Sequence, residues 1–321
     1  MTNIVDFNKS HIAEAKQLIL ANFNEARGIV KALPRLERFP DFSEELEDLS
    51  ENVGVVMLDK ATGKMIGFIC FDEPLDNAFG SLASGTISPI HAHGTVAENR
   101  AAIYKRLYQA AAKKWVDNGV TYHAISLYSH DAALVNAFFT LGFGLRCIDA
   151  VRPLEGFDYA VCKGISYAEI PQSNAAKVRG IRKSLNAHLG DSPSFVRSSD
   201  EDAEKWLNRA ETRDSRLFIA SLGTETIAYI EVMDDGENFI SDTADTMRNI
   251  HGAFCLPEHR GKGVMQGLLN YVITTLKDDD CNALGVDFES LNLSSSGFWL
   301  KHFEPYTYTV VRRIDEIALT V

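Results

Sequence analysis

Leu256-Pro257-Glu258-His259-Arg260-Gly261-Lys262-Gly263-Val264-Met265 is the stretch that decides how the rest of the chain reads. An apolar strand stops at Pro257, a turn with two glycines follows, and a helix opens at Val264. Several backbone N–H groups and the positive end of a helix dipole therefore converge on one point, which is the construction of a phosphate-binding turn. Gly261 and Gly263 leave the backbone bare where a ligand must approach, and Arg260 and Lys262 add positive charge. The bland reading of the same residues is a solvated basic turn; the position between strand and helix favours the anion site.

Reading outward, the segments around this turn have counterparts earlier in the chain. At an offset of 161 residues Met65-Ile66-Gly67-Phe68-Ile69 falls on Thr226-Ile227-Ala228-Tyr229-Ile230, Leu107 on Leu268 and Ile125 on Val286. At 160 Phe138-Phe139 meets Phe298-Trp299, and Val151-Arg152 meets Val311-Arg312. The same order at a near-constant offset marks a tandem duplication. Each copy reads as helix, acid-led helix, strand hairpin, strand, helix, strand, short helix and strand. The later copy shows a capping box at Ser199-x-x-Asp202 and a hairpin turn at Gly223-Thr224-Glu225. This pattern predicts an α/β (α+β) fold with a mixed sheet in each of two domains, residues 1–155 and 156–321, divided where Pro153, Glu155 and Gly156 break the periodicity.

With these residues in place, the later copy resembles the GNAT superfamily of acyl-CoA-dependent N-acetyltransferases. The family's Gln/Arg-x-x-Gly-x-Gly/Ala motif falls on Glu258 to Gly263, with Glu258 departing from its first position, and Phe298 to Phe303 resembles the closing helix. The resemblance implies two tandem GNAT-like domains and acetyl-CoA as cosubstrate. It implies a coenzyme site at Phe254, Cys255, Leu256, Arg260, Gly261, Lys262, Gly263, Val264, Met265 and Phe298, with pantetheine lying along the backbone of Phe254 to Leu256. The implied activity is transfer of an acetyl group to a primary amine of a small molecule by direct attack, carried out by the C-terminal copy. Candidates for the base that frees the amine are His251, Asp287 and Glu289. Phe298 stands where the family often has a tyrosine acid, which leaves Tyr306, Tyr308 or water as substitutes, and a thiolate leaving group tolerates the loss of the acid. Cys255 reads as a packing residue. In the first copy Asn99-Arg100-Ala101-Ala102 replaces the glycine turn, so that copy is expected to have lost coenzyme binding unless His93-Gly94 supplies a shifted loop.

Composition narrows the alternatives. The 321 residues are 45% hydrophobic and 24% charged, the proportions of a globular chain long enough for two cores. A net charge of -12 gives no basic patch for nucleic acid or anionic lipid, and suits a cationic acceptor. No apolar run approaches a membrane span, no secretory leader is read, and five cysteines lie scattered without metal-ligand spacing; a cytoplasmic protein with no metal is expected. Either a monomer or a homodimer fits a duplicated chain. Two other readings stay open: a non-catalytic acyl-CoA sensor or scaffold, and a dinucleotide-binding domain built on Gly261-x-Gly263 with Asp287. The second ranks last, because Gly267 lies one residue too far on and a hairpin precedes the turn.

Overall fold

The computed structural model describes residues 2–36, 39–159, 162–212, 215–236 and 238–320. The chain runs β1 (Thr2–Asp6), α1 (Ile12–Ile29), α2 (Ser43–Glu51), β2 (Gly54–Asp59), β3 (Met65–Cys70), β4 (Gly85–Ser88), β5 (His93–Thr95), α3 (Arg100–Asp117), β6 (Tyr122–Tyr128), α4 (Ala132–Phe139) and β7 (Gly144–Pro153). It continues as β8 (Ile165–Ile170), α5 (Arg179–Gly190), α6 (Asp200–Thr212), β9 (Arg216–Leu222), β10 (Glu225–Met233), α7 (Phe239–Thr243), β11 (Met247–Cys255), α8 (Val264–Asp278), β12 (Ala283–Glu289), α9 (Leu293–His302) and β13 (Glu304–Arg313). Two compact units result, one of Met1–Lys31, Glu37–Ile148 and Pro305–Val321, the other of Ala32–Leu36 and Asp149–Glu304.

In the first unit β1, β2, β3 and β5 pair in that order, all antiparallel, while β4 pairs parallel with β6. Helix α3 turns Ile103, Tyr104, Leu107, Tyr108, Ala111 and Trp115 to one side, the i, i+3, i+4 spacing that makes a helix amphipathic, and all six are buried. They pack on Leu127, Phe138 and Phe143 in one core, where truncating an aromatic ring to alanine costs about 3–5 kcal/mol.

The second unit orders its strands β12, β11, β10, β9, β8. The hairpin turn closes more tightly than its sequence indicates, with Leu222 opposite Glu225, and Gly223 adopts the left-handed φ of 62° that the turn demands. The Ser199 box forms as read: Asp202 N–H donates to Ser199 Oγ, and Ser199 N–H donates to Asp202 Oδ2. Ala203, Trp206, Leu207 and Ala210 are then buried, the last three in one core with Leu217, Tyr229 and Phe254.

The closing strands are the departure from a copy-by-copy reading. β13 pairs antiparallel with β6, from Thr307 opposite Tyr128 to Arg313 opposite Tyr122, and thereby completes the first unit. Asp149–Pro153, the far half of β7, lies beside β12 in the second unit, where Leu154 N–H donates to Asn282 O at 3.1 Å. Two copies with near-identical closing patterns give each strand two equivalent partners, so period-two alternation cannot say which sheet a closing strand joins.

The copies also differ at one strand. In the second unit β11 is unbroken, and the residues between its parallel pair Ile250–Val286 and its antiparallel pair Ala253–Ile230 are His251 and Gly252. In the first unit the matching pairs are Ser88–Ile125 and His93–Ile69, with Pro89, Ile90, His91 and Ala92 between them. The two extra residues, one a proline without an N–H for the ladder, split this strand into β4 and β5.

Candidate functional site

In the second unit the parallel ladder of β11 and β12 runs from Met247–Ala283 to Ile250–Val286 and stops, while β11 stays paired with β10 as far as Cys255. Past Ile250 one edge of β11 is therefore open. Leu256 donates its N–H to Ile227 O at 3.0 Å, so strand alternation turns the N–H and C=O of Cys255 and Ala253 toward that open edge. The Cys255 carbonyl accepts Arg260 Nε at 2.9 Å; no described side chain caps the Cys255 N–H. Ala253, with only a methyl group, leaves the opening unfilled.

Beyond the strand the chain makes the turn expected of it. Gly261 and Gly263 have φ of 72° and 84°, left-handed values that cost other residues about 1–2 kcal/mol. The first helical bond of α8 is Gly267 N–H to Gly263 O, 2.9 Å, which leaves the N–H groups of Val264, Met265 and Gln266 without a partner inside the helix. Arg260 lays its guanidinium 4.8 Å from the Phe254 ring centroid. Strand edge and helix start open onto a cavity of about 530 Å³.

The cavity wall brings together Phe254, Cys255, Arg260, Gly261, Gly263, Val264, Met265 and Phe298 of the residues singled out in the sequence. Lys262 and Leu256 are not on it; the Lys262 carbonyl accepts the Cys162 thiol at 2.6 Å. Nor are His251, Asp287 and Glu289. His251 Nε2 donates to Asp235 O at 2.8 Å and lies 3.5 Å from Asp235 Oδ1. Tyr306 and Tyr308 belong to β13, in the first unit, and are not among the residues that line this cavity. Burial pushes the Cys255 thiol up to about 11, so it stays protonated near neutral pH and is no nucleophile.

Sequence reading missed His188 and Asn292. His188 ends the apolar face of α5 beside Leu185, its ring 5.6 Å from that of Phe254. Its Nε2 is 3.2 Å from both Asn292 Oδ1 and Ser294 Oγ. The two residues are 104 positions apart, so only the pairing of strand edge, α5 and the start of α9 joins them. His302, also on the cavity wall, is lowered from its usual value, first by burial and then by Arg152 and Lys301.

The matching place in the first unit is closed at three points. Asn22 takes both outward groups of Thr95, receiving its N–H at 3.1 Å and donating to its carbonyl at 2.9 Å. His93, at the ladder position of Ala253, sets Nε2 2.6 Å from Ser126 O and Nδ1 2.6 Å from Tyr104 Oη. It is part of β5 and provides no shifted loop. Helix α3 then begins at Arg100, the counterpart of Gly261, so a helical turn replaces the glycine turn. Arg100 is paired to Glu25 at 2.6 Å and Asp131 at 2.9 Å, holding the Glu25 carboxyl below its usual value.

Residues 183–303 match the family model described as Acetyltransferase (GNAT) family. They form a GNAT acyltransferase domain. No curated protein matches the chain. Among solved structures it is similar to a GCN5-related N-acetyltransferase from Sphaerobacter thermophilus, at 10% identity over 97% of this chain and 95% of that one, TM-score 0.59. It is also similar to a GCN5-related glucosamine N-acetyltransferase region of a fungal multi-domain GH3 β-N-acetylglucosaminidase, at 13% identity and TM-score 0.55. That match covers 97% of this chain and 38% of the fungal one, so the chain spans well under half of that relative. At such identities the likeness is one of fold, and it takes in the mixed α/β architecture of both units. The GNAT domain contains the open strand edge, the glycine turn and the cavity; no helix among the described residues is long and apolar enough to cross a membrane.

Proposed function

We propose that the chain is an acetyl-CoA-dependent N-acetyltransferase that acetylates a primary amine of a small molecule, with one working copy of two, residues 156–321, and a degenerate copy, residues 1–155. The observation that carries this reading is the free edge of β11 at Ala253 and Cys255, continuous with an uncapped, glycine-led helix start. Pantetheine amides have a backbone's hydrogen-bonding pattern, and an unpaired strand edge is their complement. Pyrophosphate suits the N–H groups of Val264 to Gln266, with Arg260 and Gly261 beside it. The Cys255 N–H is the donor aimed where the thioester oxygen gains charge during attack.

The chemistry is direct. A neutral amine nitrogen attacks the thioester carbon, the C–N bond forms, the C–S bond breaks, and the amine loses a proton. Candidates to receive it are His188, on the cavity wall, and His251, Asp287 and Glu289, on the strands bounding the gap but off that wall. Phe298 has no proton to give, so the thiolate leaves as such or takes its proton from water; a thiolate is a tolerable leaving group near neutral pH. Phe298 also supports the second reading, an acyl-CoA sensor. The cytoplasm is the compartment this reading calls for, since acetyl-CoA must be at hand.

Thiol release from acetyl-CoA, followed over a panel of polyamines, amino sugars, amino acids and aminoglycosides, tests the reading. Release with at least one amine, lost in Gly261→Glu, supports it; saturable coenzyme binding without release over the whole panel favours the sensor.

A further inference from the structure

We propose, resting on the acetyltransferase reading, that His188 is the general base: its Nδ1 takes the proton of the acceptor amine, and Asn292 fixes the tautomer that makes this possible.

The hydrogen bonds around Asn292 fix the chemistry. Its Oδ1 accepts the Ser295 backbone N–H at 3.3 Å and the Ser294 hydroxyl at 2.9 Å. A backbone N–H can only donate, so the atom facing it is the oxygen of the carboxamide. The same oxygen lies 3.2 Å from His188 Nε2. An amide oxygen cannot donate, hence Nε2 carries the hydrogen, and in the neutral ring the lone pair belongs to Nδ1. Among the described residues Nδ1 has no partner, and His188 is on the wall of the cavity that begins at the open edge of β11. A base oriented by a hydrogen-bond acceptor on its far nitrogen is the arrangement that keeps an imidazole in its productive tautomer.

The competing groups are placed less well. His251 spends Nε2 on the Asp235 carbonyl and is not on the cavity wall. Cys255 stays protonated, and His302, lowered by burial, sits beside Lys301 at the far end of α9. The other charged or titratable groups sharing the wall with His188 are His259 and Arg260 in the turn and Lys301 on α9; its own helix also carries Arg179, Arg182 and Lys183, none of them on that wall.

In the step assigned to it, the amine nitrogen bonds to the acetyl carbon, the thioester C–S bond breaks, and the nitrogen's proton passes to Nδ1. The imidazolium returns that proton to the coenzyme thiolate or to water, restoring the neutral ring.

The test uses the whole chain and separates this assignment from the reading beneath it. Imidazole nitrogen NMR of the free protein should show His188 as the Nε2–H tautomer at neutral pH; the Nδ1–H tautomer overturns the proposal without touching acetyl-CoA binding. His188→Gln keeps a donor toward Asn292 and Ser294 but accepts no proton. It should bind acetyl-CoA as the parent does by calorimetry, lower kcat about 10²–10⁴-fold, and flatten the acidic limb of the kcat profile. Turnover within threefold of the parent overturns the proposal. Asn292→Asp keeps the helix cap and strengthens the hold on Nε2–H, so the acidic limb should move to higher pH; an unmoved limb counts against the assignment. Failure of the unaltered chain to bind acetyl-CoA would remove the acetyltransferase reading, and this proposal with it.

Discussion

His93 Nε2 lies 2.6 Å from the Ser126 carbonyl oxygen, so in the first unit an imidazole bridges β5 and β6 at the level where, in the second, Ala253 leaves β11 open. With Asn22 on Thr95 and the helical turn at Arg100, this imidazole makes part of a core where the second unit has an open edge. His93 is buried, and its pKa falls to about 4, chiefly because burial penalises the charged ring. His123, held by Tyr108 Oη and the Val120 carbonyl, falls to about 4 for the same first reason.

The pH dependence of stability follows from these two rings. Both have folded values below the ordinary 6.5, so the unfolded chain binds more protons between those limits. Their contribution is complete above pH 6.5 and is lost as pH falls toward about 4. The two together should lower unfolding free energy by a few kcal/mol over that range, since a tenfold difference in proton affinity between folded and unfolded chain is worth about 1.4 kcal/mol. Urea midpoints between pH 7 and 4 check this, and His123→Gln should flatten part of the slope.

Glu231 is another buried group whose removal should be felt. It accepts Trp206 Nε1 at 2.7 Å and Ser215 Oγ at 2.8 Å, and is 5% exposed. Glu231→Leu strands two donors and should cost about 2–4 kcal/mol, whereas Glu231→Gln retains one acceptor and should cost less than half as much. Guanidinium midpoints at constant slope measure both.

Gly263 sits at a φ of 84° at the start of α8. Gly263→Val must either strain the backbone, at about 1–2 kcal/mol, or let the helix start earlier as α3 does. Either result should weaken acetyl-CoA binding at least tenfold while lowering Tm by only a few degrees, readable by calorimetry and thermal melts.

Cys255→Ala should retain turnover within a few-fold, because the thiol is pushed up to about 11 and the direct attack proposed above needs no acyl-enzyme. Accumulation of an acetylated Cys255 in a rapid-quench digest would contradict this.

Much of the fold is legible because local chemistry writes it. The Ser199 box, the glycine turn and the spacing of Leu268, Leu269, Val272, Ile273 and Leu276 each declare an element where it stands. The fate of β13 is not legible, since Val311-Arg312 and Val151-Arg152 carry the same pattern and pairing is settled in three dimensions. The glycine turn reads from sequence because its parts are contiguous; His188 and Asn292 do not, being joined only by the fold. Asn22, which seals Thr95 across 73 positions, is equally silent in one dimension.

The most direct test of one open cleft and one sealed one is calorimetric titration of the whole chain with acetyl-CoA, read for stoichiometry. The account predicts one site per chain, lost in Gly261→Glu and unchanged in His93→Gln. Two sites, or one that survives Gly261→Glu, would contradict it.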